Sequence, residues 1–438
     1  MKKTKLFALP LLMVGLLGLS ACSLFDDSDM QHENHYNPPS EDYVPPEKDP
    51  NGIYIGDVKA KDDVEGVNNV YFFQSLCYAK DGKITNTYKS GGANENEFNV
   101  NGGEDFKGTK ANNNYDLCVP KSELANKKHV IILFIHGGAW VSGLKTTVNP
   151  YVHEFANRGY ITATVKYTLL KESMDDPSRS IFRNLDEIDA CITNIKESLV
   201  ELFQDRNVEL DANNQLELVI GGASSGAHLT MLYSYSRGHK ATLKPKLVVN
   251  AVGPTDIKPA VWKKLATSSE HGPESIEKDS GNSLADLTIA STNQDGKKWD
   301  EYNTMRIANG MCGMPYTLEQ VRAATEDEST ISDTNNEAYK AMTKANGGED
   351  QLSVTHYITA ANKIPMVAAY AGMDTVVGIN QFANLQTALE DNGYVRNTDY
   401  DYYYFRDSGH TQIDAAHGGE VYTNFVNKID ERCAALRA

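Results

Sequence analysis

The sequence predicts an α/β fold, in which a mostly parallel central sheet is flanked by helices and interrupted by one insertion. Apolar runs typical of strands alternate along the chain with segments of helical periodicity, and this alternation favours parallel strands joined by right-handed crossovers. It stops between about 257 and 350, where the chain is polar and rich in loop-forming residues, and then resumes. We therefore expect residues of about 257–350 to form a cap, or lid, over one end of the sheet.

The composition is that of a globular protein. The chain has 438 residues, enough for one large or two ordinary domains. Hydrophobic residues make up 40% and charged residues 23% of it, which allows a sizeable core. The 59 acidic and 42 basic side chains give a formal net charge of −17. Such a surface repels phosphate backbones, so we expect no nucleic acid partner.

The N-terminal segment is typical of an exported protein. A basic stretch, MKKTK, precedes an apolar stretch that is too short to span a membrane comfortably. It ends in Leu19-Ser20-Ala21-Cys22, which resembles the lipobox of bacterial lipoproteins. The resemblance implies that residues 1–22 include a lipoprotein signal peptide and that Cys22 is lipid-modified, anchoring the protein to a membrane of the bacterial cell envelope on its extracytoplasmic side. The alternative is an ordinary signal peptide.

The next segments lead into the main domain. Residues 23–50 are polar, acidic and proline-rich, which is typical of a flexible linker. Residues 51–113 combine the strand-like piece NNVYFFQSLCYA with Gly/Asn-rich loops, and we expect an N-terminal extension packed on the main domain. Five cysteines follow Cys22, an odd number without a CxxC spacing, so neither a zinc site nor a disulfide pairing is predicted.

From residue 114 the elements follow in order. Two segments before the cap have clear helical character: one carries apolar residues every three or four positions from Ile181 to Leu202, and the other follows at His228. A third, QFANLQTALEDNG, ends at a glycine. Seven segments are typical of strands: NYDLCVP, HVIILFIH, YITATVKY, LELVIGG, KLVVNAVGP, KIPMVAAYAG and DYDYYYFRD. The continuous apolar runs among them indicate strands covered on both faces.

A G-x-S-x-G motif connects one of these strands to a helix. Gly222-Ala223-Ser224-Ser225-Gly226 follows the run LELVI and precedes the helical segment. This is the context of a nucleophile elbow, in which the serine occupies an unfavourable backbone conformation and small neighbours avoid clashes. The helix start also directs amides towards developing negative charge. Ser224 is therefore the candidate nucleophile.

A second motif lies at the end of an earlier strand. His136-Gly137-Gly138-Ala139-Trp140 follows VIILFI. Backbone amides without side chains can approach an oxyanion closely, so this position suits an oxyanion hole.

Together, HGGAW and GASSGAH resemble the α/β-hydrolase superfamily, in particular its esterase branch related to hormone-sensitive lipase and bacterial carboxyl and feruloyl esterases. The resemblance covers roughly residues 114–256 and 352–430 and implies an α/β-hydrolase domain over 51–438. It also implies an oxyanion hole made by the amides of Gly137, Gly138 and Ser225. Because Ala139 stands where many members have a third glycine, the identity of the inward-pointing amides stays open.

The family order of catalytic residues is serine, acid, histidine. Asp374 follows the strand in AAYAGMD, and His410 follows the last strand in FRDSGH. We expect Asp374 to orient His410 and His410 to act as the base. His417 is the alternative base and Asp407 the alternative acid, although Asp407 is close to His410 in sequence.

Other residues allow two interpretations. Trp140 and the aromatic run Tyr402–Phe405 either line an acyl pocket or belong to the core, and the core is the commoner place for such residues. Asp256 either binds substrate or caps a helix, and we favour the cap.

These features predict a lipid-anchored, extracytoplasmic serine esterase. It would hydrolyse small-molecule or saccharide esters through an acyl-enzyme, with no metal and no cofactor. One alternative is an amidase or peptidase with the same three residues, because one fold supports both reactions. The other is a non-catalytic binding lipoprotein on a hydrolase scaffold.

Overall fold

A computed structural model of the chain describes residues 48–87, 104–125, 128–140, 142–170, 180–208, 216–256, 352–374 and 376–437. The predicted signal peptide with Cys22, nearly all of the linker 23–50 and the whole of the cap at about 257–350 lie outside the described residues.

A nine-stranded sheet forms the centre of the fold. The strands of the described residues are β1 Tyr54–Ile55, β2 Val58–Lys59, β3 Lys61–Val64, β4 Val67–Cys77, β5 Lys83–Ile84, β6 Phe106–Lys107, β7 Asn114–Pro120, β8 His129–Ile135, β9 Ile161–Lys166, β10 Leu216–Ala223, β11 Pro245–Ala251, β12 Met366–Ala371 and β13 Tyr400–Phe405. The order in the central sheet is β13-β12-β11-β10-β8-β9-β7-β4-β3. The six strands from β13 to β9 are parallel, and β7, β4 and β3 continue the sheet antiparallel.

Helices cover both faces of this sheet. Their bounds are α1 Asn149–Asn157, α2 Ile181–Asp205, α3 Ser225–Ser236, α4 Asn380–Asp391 and α5 Ala415–Arg437. Helices α2, α3 and α4 pack into the core on one face, and α1 and α5 into the core on the other. Helix α5 is kinked at Gly419, whose φ is 50°. None of the helices within the described residues is long and apolar enough to cross a membrane.

The central strands are apolar throughout because both of their faces are covered. In β8 every residue is buried. Leu133 packs in the core beneath α2, α3 and α4, whereas the next residue, Phe134, packs in the core beneath α1 and α5. Alternate side chains of a strand point to opposite faces, so a strand between two helical layers needs apolar residues at every position.

The structure confirms the α/β-hydrolase fold class, and all seven predicted strands from residue 114 are present. Two strands from the predicted N-terminal extension, β3 and β4, join the central sheet and widen it at one edge. In the described residues, Cys77, Cys118, Cys191 and Cys433 are free thiols.

Candidate active site

Ser224 lies at the sharp turn between β10 and α3. Its backbone has φ 54° and ψ −126°, a conformation that is strained for a residue with a side chain and destabilises the fold locally by roughly 1–3 kcal/mol. Two hydrogen bonds hold it there: the Ser224 amide donates to Ala251 O at 2.9 Å, and the His228 amide donates to Ser224 O at 3.1 Å. The turn therefore presents the side chain of Ser224 at the carboxyl end of the sheet.

The two glycines of the motif permit close packing of the backbone around this turn. A Cβ on Gly222 would lie 2.5 Å from Gly226 O, and one on Gly226 would lie 2.2 Å from Ile135 O. Real Cβ atoms do not approach so closely, so a larger residue at either position requires the backbone to move. The two glycines thus leave the space in which β8, β10 and α3 pack against one another.

His410 connects Ser224 to Asp374. His410 Nε2 lies 2.8 Å from Ser224 Oγ, and His410 Nδ1 lies 2.7 Å from Asp374 Oδ2. Because a carboxylate only accepts hydrogen bonds, Nδ1 carries a proton and Nε2 is left as the acceptor for the serine hydroxyl. This is the arrangement that activates a serine nucleophile.

Asp374 is held by the loop after β12. Its Oδ1 accepts hydrogen bonds from the amides of Val376 and Val377, both at 2.8 Å. The Asp374 side chain is fully buried, whereas 16% of the His410 side chain is exposed. Three hydrogen bonds to one carboxylate fix its orientation towards the imidazole. The two valine amides were not predicted, since no motif around Val376 and Val377 indicates that they donate to Asp374.

The alternative residues lie elsewhere. His417 Nδ1 is hydrogen-bonded to the Asp414 carboxylate at 2.9 and 3.0 Å, and 46% of its side chain is exposed. Asp407 is exposed. The structure thus brings Ser224, Asp374 and His410 together, and it does not bring His417 or Asp407 to them.

In the loop after β8, hydrogen bonds to the carbonyl oxygens of Gly137 and Gly138 fix the orientation of two peptide units. His136 Nδ1 donates to Gly137 O at 2.8 Å. Gly138 O accepts from the amide of Ser142 at 3.0 Å and from its hydroxyl at 2.9 Å. The described peptide bonds are trans, so in each unit the N–H points opposite to the carbonyl. The amides of Gly138 and Ala139 therefore face away from these partners.

Three amides are candidates for an oxyanion hole on this geometry. Those of Gly138 and Ala139 donate to no acceptor within the described residues. The amide of Ser225 is the first in α3 and, like every N-terminal helix amide, has no acceptor in its own helix. The oxyanion-binding roles of Gly138 and Ser225 stay predictions, and Ala139 is added to them as a candidate donor. A contribution from the amide of Gly137 stays a prediction.

Trp140 contacts His228, a histidine for which the sequence predicted no role in the site. Trp140 is buried, and its indole N–H donates to His228 Nδ1 at 3.3 Å. His228 Nε2 lies 2.7 Å from Leu352 O. Burial, only partly opposed by that hydrogen bond, lowers the pKa of His228 to about 4. The one sequence signal was its place in GASSGAH, four residues after Ser224.

Two other candidate groups have structural contacts. Asp256 accepts hydrogen bonds from Asn384 Nδ2 at 3.2 Å and from Ser353 Oγ at 3.3 Å. It therefore connects the segment after β11 to α4. The ring of Tyr402 stacks on Phe382 at 3.5 Å, which places this aromatic residue of β13 against α4. In the described residues there is no group of three or more His, Cys, Asp or Glu side chains that could hold a metal ion.

Comparison with known proteins gave matches of three kinds. Residues 115–299 match the family model described as BD-FAE. A non-reducing polyketide synthase of Stereocaulon alpinum is 26% identical over 142 residues, which are 32% of this chain and 5% of that protein. The chain thus spans only a small part of the length of that curated relative.

Two solved structures are similar in fold. Esterase B from Lactobacillus rhamnosis, in an inhibited form, has 12% identity and a TM-score of 0.47, covering 84% of this chain and 87% of that one. A truncated carbohydrate esterase from gut microbiota has 14% identity and a TM-score of 0.44, covering 73% of this chain and 91% of that one.

Proposed function

We propose that this chain, which has the α/β-hydrolase fold, is a serine esterase that hydrolyses carboxylic esters through an acyl-enzyme. The observation that carries the proposal is the pair of hydrogen bonds from His410 to Ser224 and to Asp374. It links a nucleophile, a base and an orienting acid within hydrogen-bonding distance at the carboxyl end of the parallel sheet, where ligands bind in open α/β folds.

The reaction follows from the positions of the protons. As Ser224 Oγ attacks the ester carbonyl, its proton passes to His410 Nε2, and Asp374 stabilises the imidazolium. The carbonyl oxygen becomes an oxyanion that the amides of Gly138, Ala139 and Ser225 bind. The C–O bond to the alcohol then breaks, and His410 returns its proton to the leaving alcohol, which produces the acyl-enzyme.

Hydrolysis of the acyl-enzyme repeats these steps with water. His410 Nε2 removes a proton from a water molecule, whose oxygen attacks the acyl carbonyl. The second oxyanion collapses, the bond to Ser224 Oγ breaks, and the proton on His410 returns to the serine. The products are the carboxylic acid and the free enzyme. Neither a metal ion nor an organic cofactor enters any of these steps.

An ester is the better supported substrate class. BD-FAE, the family model matched by residues 115–299, is an esterase-like family of this fold. An amide would require the same three residues, so amidase or peptidase activity is the alternative that the experiment below has to separate. Within the ester class, small-molecule and saccharide esters are the proposed substrates.

We also propose that the enzyme works outside the cytoplasm, attached to a membrane of the cell envelope through a lipid on Cys22. The basic flank, the apolar stretch and the lipobox-like Leu19-Ser20-Ala21-Cys22 support this location. Metabolic labelling with a fatty-acid analogue in a bacterial host tests it. The wild type should carry the label in the membrane fraction and Cys22→Ala should not; equal labelling would contradict the anchor.

The function is tested by turnover of p-nitrophenyl acetate and butyrate by the purified protein. We expect hydrolysis by the wild type and none above background with Ser224→Ala. Ser236→Ala is the matched control, because Ser236 ends the same helix and its hydroxyl donates to Leu232 O, away from His410 and Asp374. Undiminished turnover by Ser224→Ala would remove Ser224 as nucleophile. Cleavage of p-nitroanilides but not of esters would favour the amidase.

A further inference from the structure

His228 has a fully buried side chain with a different partner on each ring nitrogen. Its Nδ1 accepts from the Trp140 indole N–H at 3.3 Å, and its Nε2 lies 2.7 Å from Leu352 O. An indole only donates and a carbonyl only accepts, so the two contacts together require the neutral ring with its proton on Nε2. The side chain of His228 thus joins two segments that are distant in sequence.

Trp140 belongs to the strained part of the loop after β8. Ala139 and Trp140 have φ values of 50° and 62°, so two consecutive residues with side chains occupy the left-handed region. Such a conformation persists only where the surroundings impose it. For Trp140 these surroundings are the hydrogen bond from its indole to His228 and one from the amide of Leu170 to Trp140 O at 2.9 Å.

The same histidine also contacts the nucleophile's turn. The His228 amide donates to Ser224 O at 3.1 Å, so its backbone fixes the serine while its ring fixes Trp140. The ring of His228 meets the indole edge-on, at an interplanar angle of 89° and with the centroids 5.3 Å apart. One residue therefore sets the spacing between the nucleophile's turn and the loop whose amides are candidate oxyanion donors.

We propose that His228 is a positioning residue for the oxyanion hole. Through its hydrogen bond to Trp140, it holds the amides of Gly138 and Ala139 at a fixed position relative to Ser224. This inference rests on the proposed esterase function. It concerns the transition state, because the oxyanion forms only as the serine attacks. Loosening the loop should therefore reduce kcat much more than it changes KM.

Two substitutions of His228 by residues with a side-chain amide test the two hydrogen bonds of the ring one at a time. His228→Asn places an acceptor near the position of Nδ1 and keeps a partner for Trp140 without reaching Leu352. His228→Gln places a donor near the position of Nε2 and keeps a partner for Leu352 O without accepting from Trp140. Trp140→Phe removes the indole N–H and keeps an aromatic ring.

The experiment measures kcat and KM for p-nitrophenyl acetate with the purified full chain and each variant. A second readout is the rate of inactivation by a p-nitrophenyl phosphonate, whose attack by serine also develops negative charge on an oxygen. Thermal unfolding shows whether each variant is folded. We expect His228→Gln and Trp140→Phe to lower kcat and the inactivation rate about tenfold each, the effect of one lost hydrogen bond. KM should change less than about threefold.

Two comparisons decide the result. His228→Asn should stay within about threefold of the wild type, and the double variant His228→Gln/Trp140→Phe should be no slower than His228→Gln. Folded single variants with unchanged rates, losses that multiply in the double variant, or His228→Asn as slow as His228→Gln would each overturn the inference. A wild type that does not hydrolyse esters would instead overturn the proposed function.

Discussion

Asp374, His410 and Ser224 form a chain of hydrogen bonds in which each group depends on the next. Three donors point at the Asp374 carboxylate, two of them backbone amides that stay donors at any pH. The imidazole of His410 is consequently oriented with its acceptor nitrogen towards Ser224. At the scale of single residues, we therefore expect the proposed chemistry to depend on His410 and not on His417, which pairs with Asp414.

Two histidines close in sequence test this dependence. We expect His410→Ala to lower kcat/KM for p-nitrophenyl acetate by about 10⁴-fold or more, because the serine then has no base. We expect His417→Ala to stay within about twofold of the wild type, since His417 pairs with Asp414 at the surface. Inactivation by His417→Ala alone would show that the base had been assigned wrongly.

The buried His228 predicts a pH dependence of stability. Its pKa is lowered to about 4 in the folded protein, against an ordinary value near 6.5 in the unfolded chain. The unfolded state therefore binds the extra proton first as the pH falls, and the folded state loses stability between about pH 6.5 and 4. The full loss from this residue is roughly 3 kcal/mol.

His228→Gln, which has no titrating group at this position, isolates that contribution. Urea unfolding at pH 7.5 and pH 4.5 should show a free energy of unfolding that falls by roughly 2–3 kcal/mol more for the wild type than for the variant. An equal fall in both proteins would mean that the ring of His228 is not kept neutral by its surroundings.

The local motif made Ser224 predictable, whereas the residues that contact it from other segments of the chain were harder to predict. A strand, a small-residue turn and a helix within a dozen residues leave a pattern that can be recognised in the sequence. His410 and His417 both follow the last strand; the distance past that strand favoured His410 over His417, and the structure places His410 beside Ser224. Trp140 and His228 are 88 residues apart, and no pattern of either segment indicates their contact.

At the scale of elements, a buried ion pair ties the loop after β8 to the antiparallel edge of the sheet. Lys145 Nζ donates to Asp116 Oδ1 at 2.8 Å and to Ser75 Oγ at 3.1 Å, and Lys145 and Asp116 are 5% and 6% exposed. The segment that follows the candidate oxyanion loop is thus held against β4 and β7. The sequence predicted these strands, but not that a charge pair would join them to this loop.

Removing the lysine should destabilise the fold strongly. Lys145→Met leaves the Asp116 carboxylate buried without its cation, which costs about 3–5 kcal/mol. Lys121→Met is the control, because Lys121 pairs with Asp62 at the surface, where their side chains are 36% and 73% exposed, and such pairs contribute at most about 1 kcal/mol. Equal denaturant midpoints for the two variants would contradict the structural role of Lys145.

At the scale of the whole molecule, the net charge of −17 predicts how the association rate depends on the charge of the substrate. An anionic ester is repelled by the field of the protein, and salt screens that field over a distance of about 8–10 Å near physiological ionic strength. We therefore expect kcat/KM for a p-nitrophenyl hemisuccinate to rise as sodium chloride increases from 10 to about 300 mM. The value for neutral p-nitrophenyl butyrate should stay constant, and parallel behaviour of both esters would refute the electrostatic explanation.

The order of the sheet also has a consequence for biosynthesis. Ser224 follows β10, the fourth of the nine strands in the sheet, whereas His410 follows β13 at the edge, 186 residues later in the chain. A ribosome has to synthesise more than nine-tenths of the 438 residues before the serine can meet its histidine. Under the proposed function, a chain in which the segment after β13 has not yet folded onto the sheet would have no activated serine.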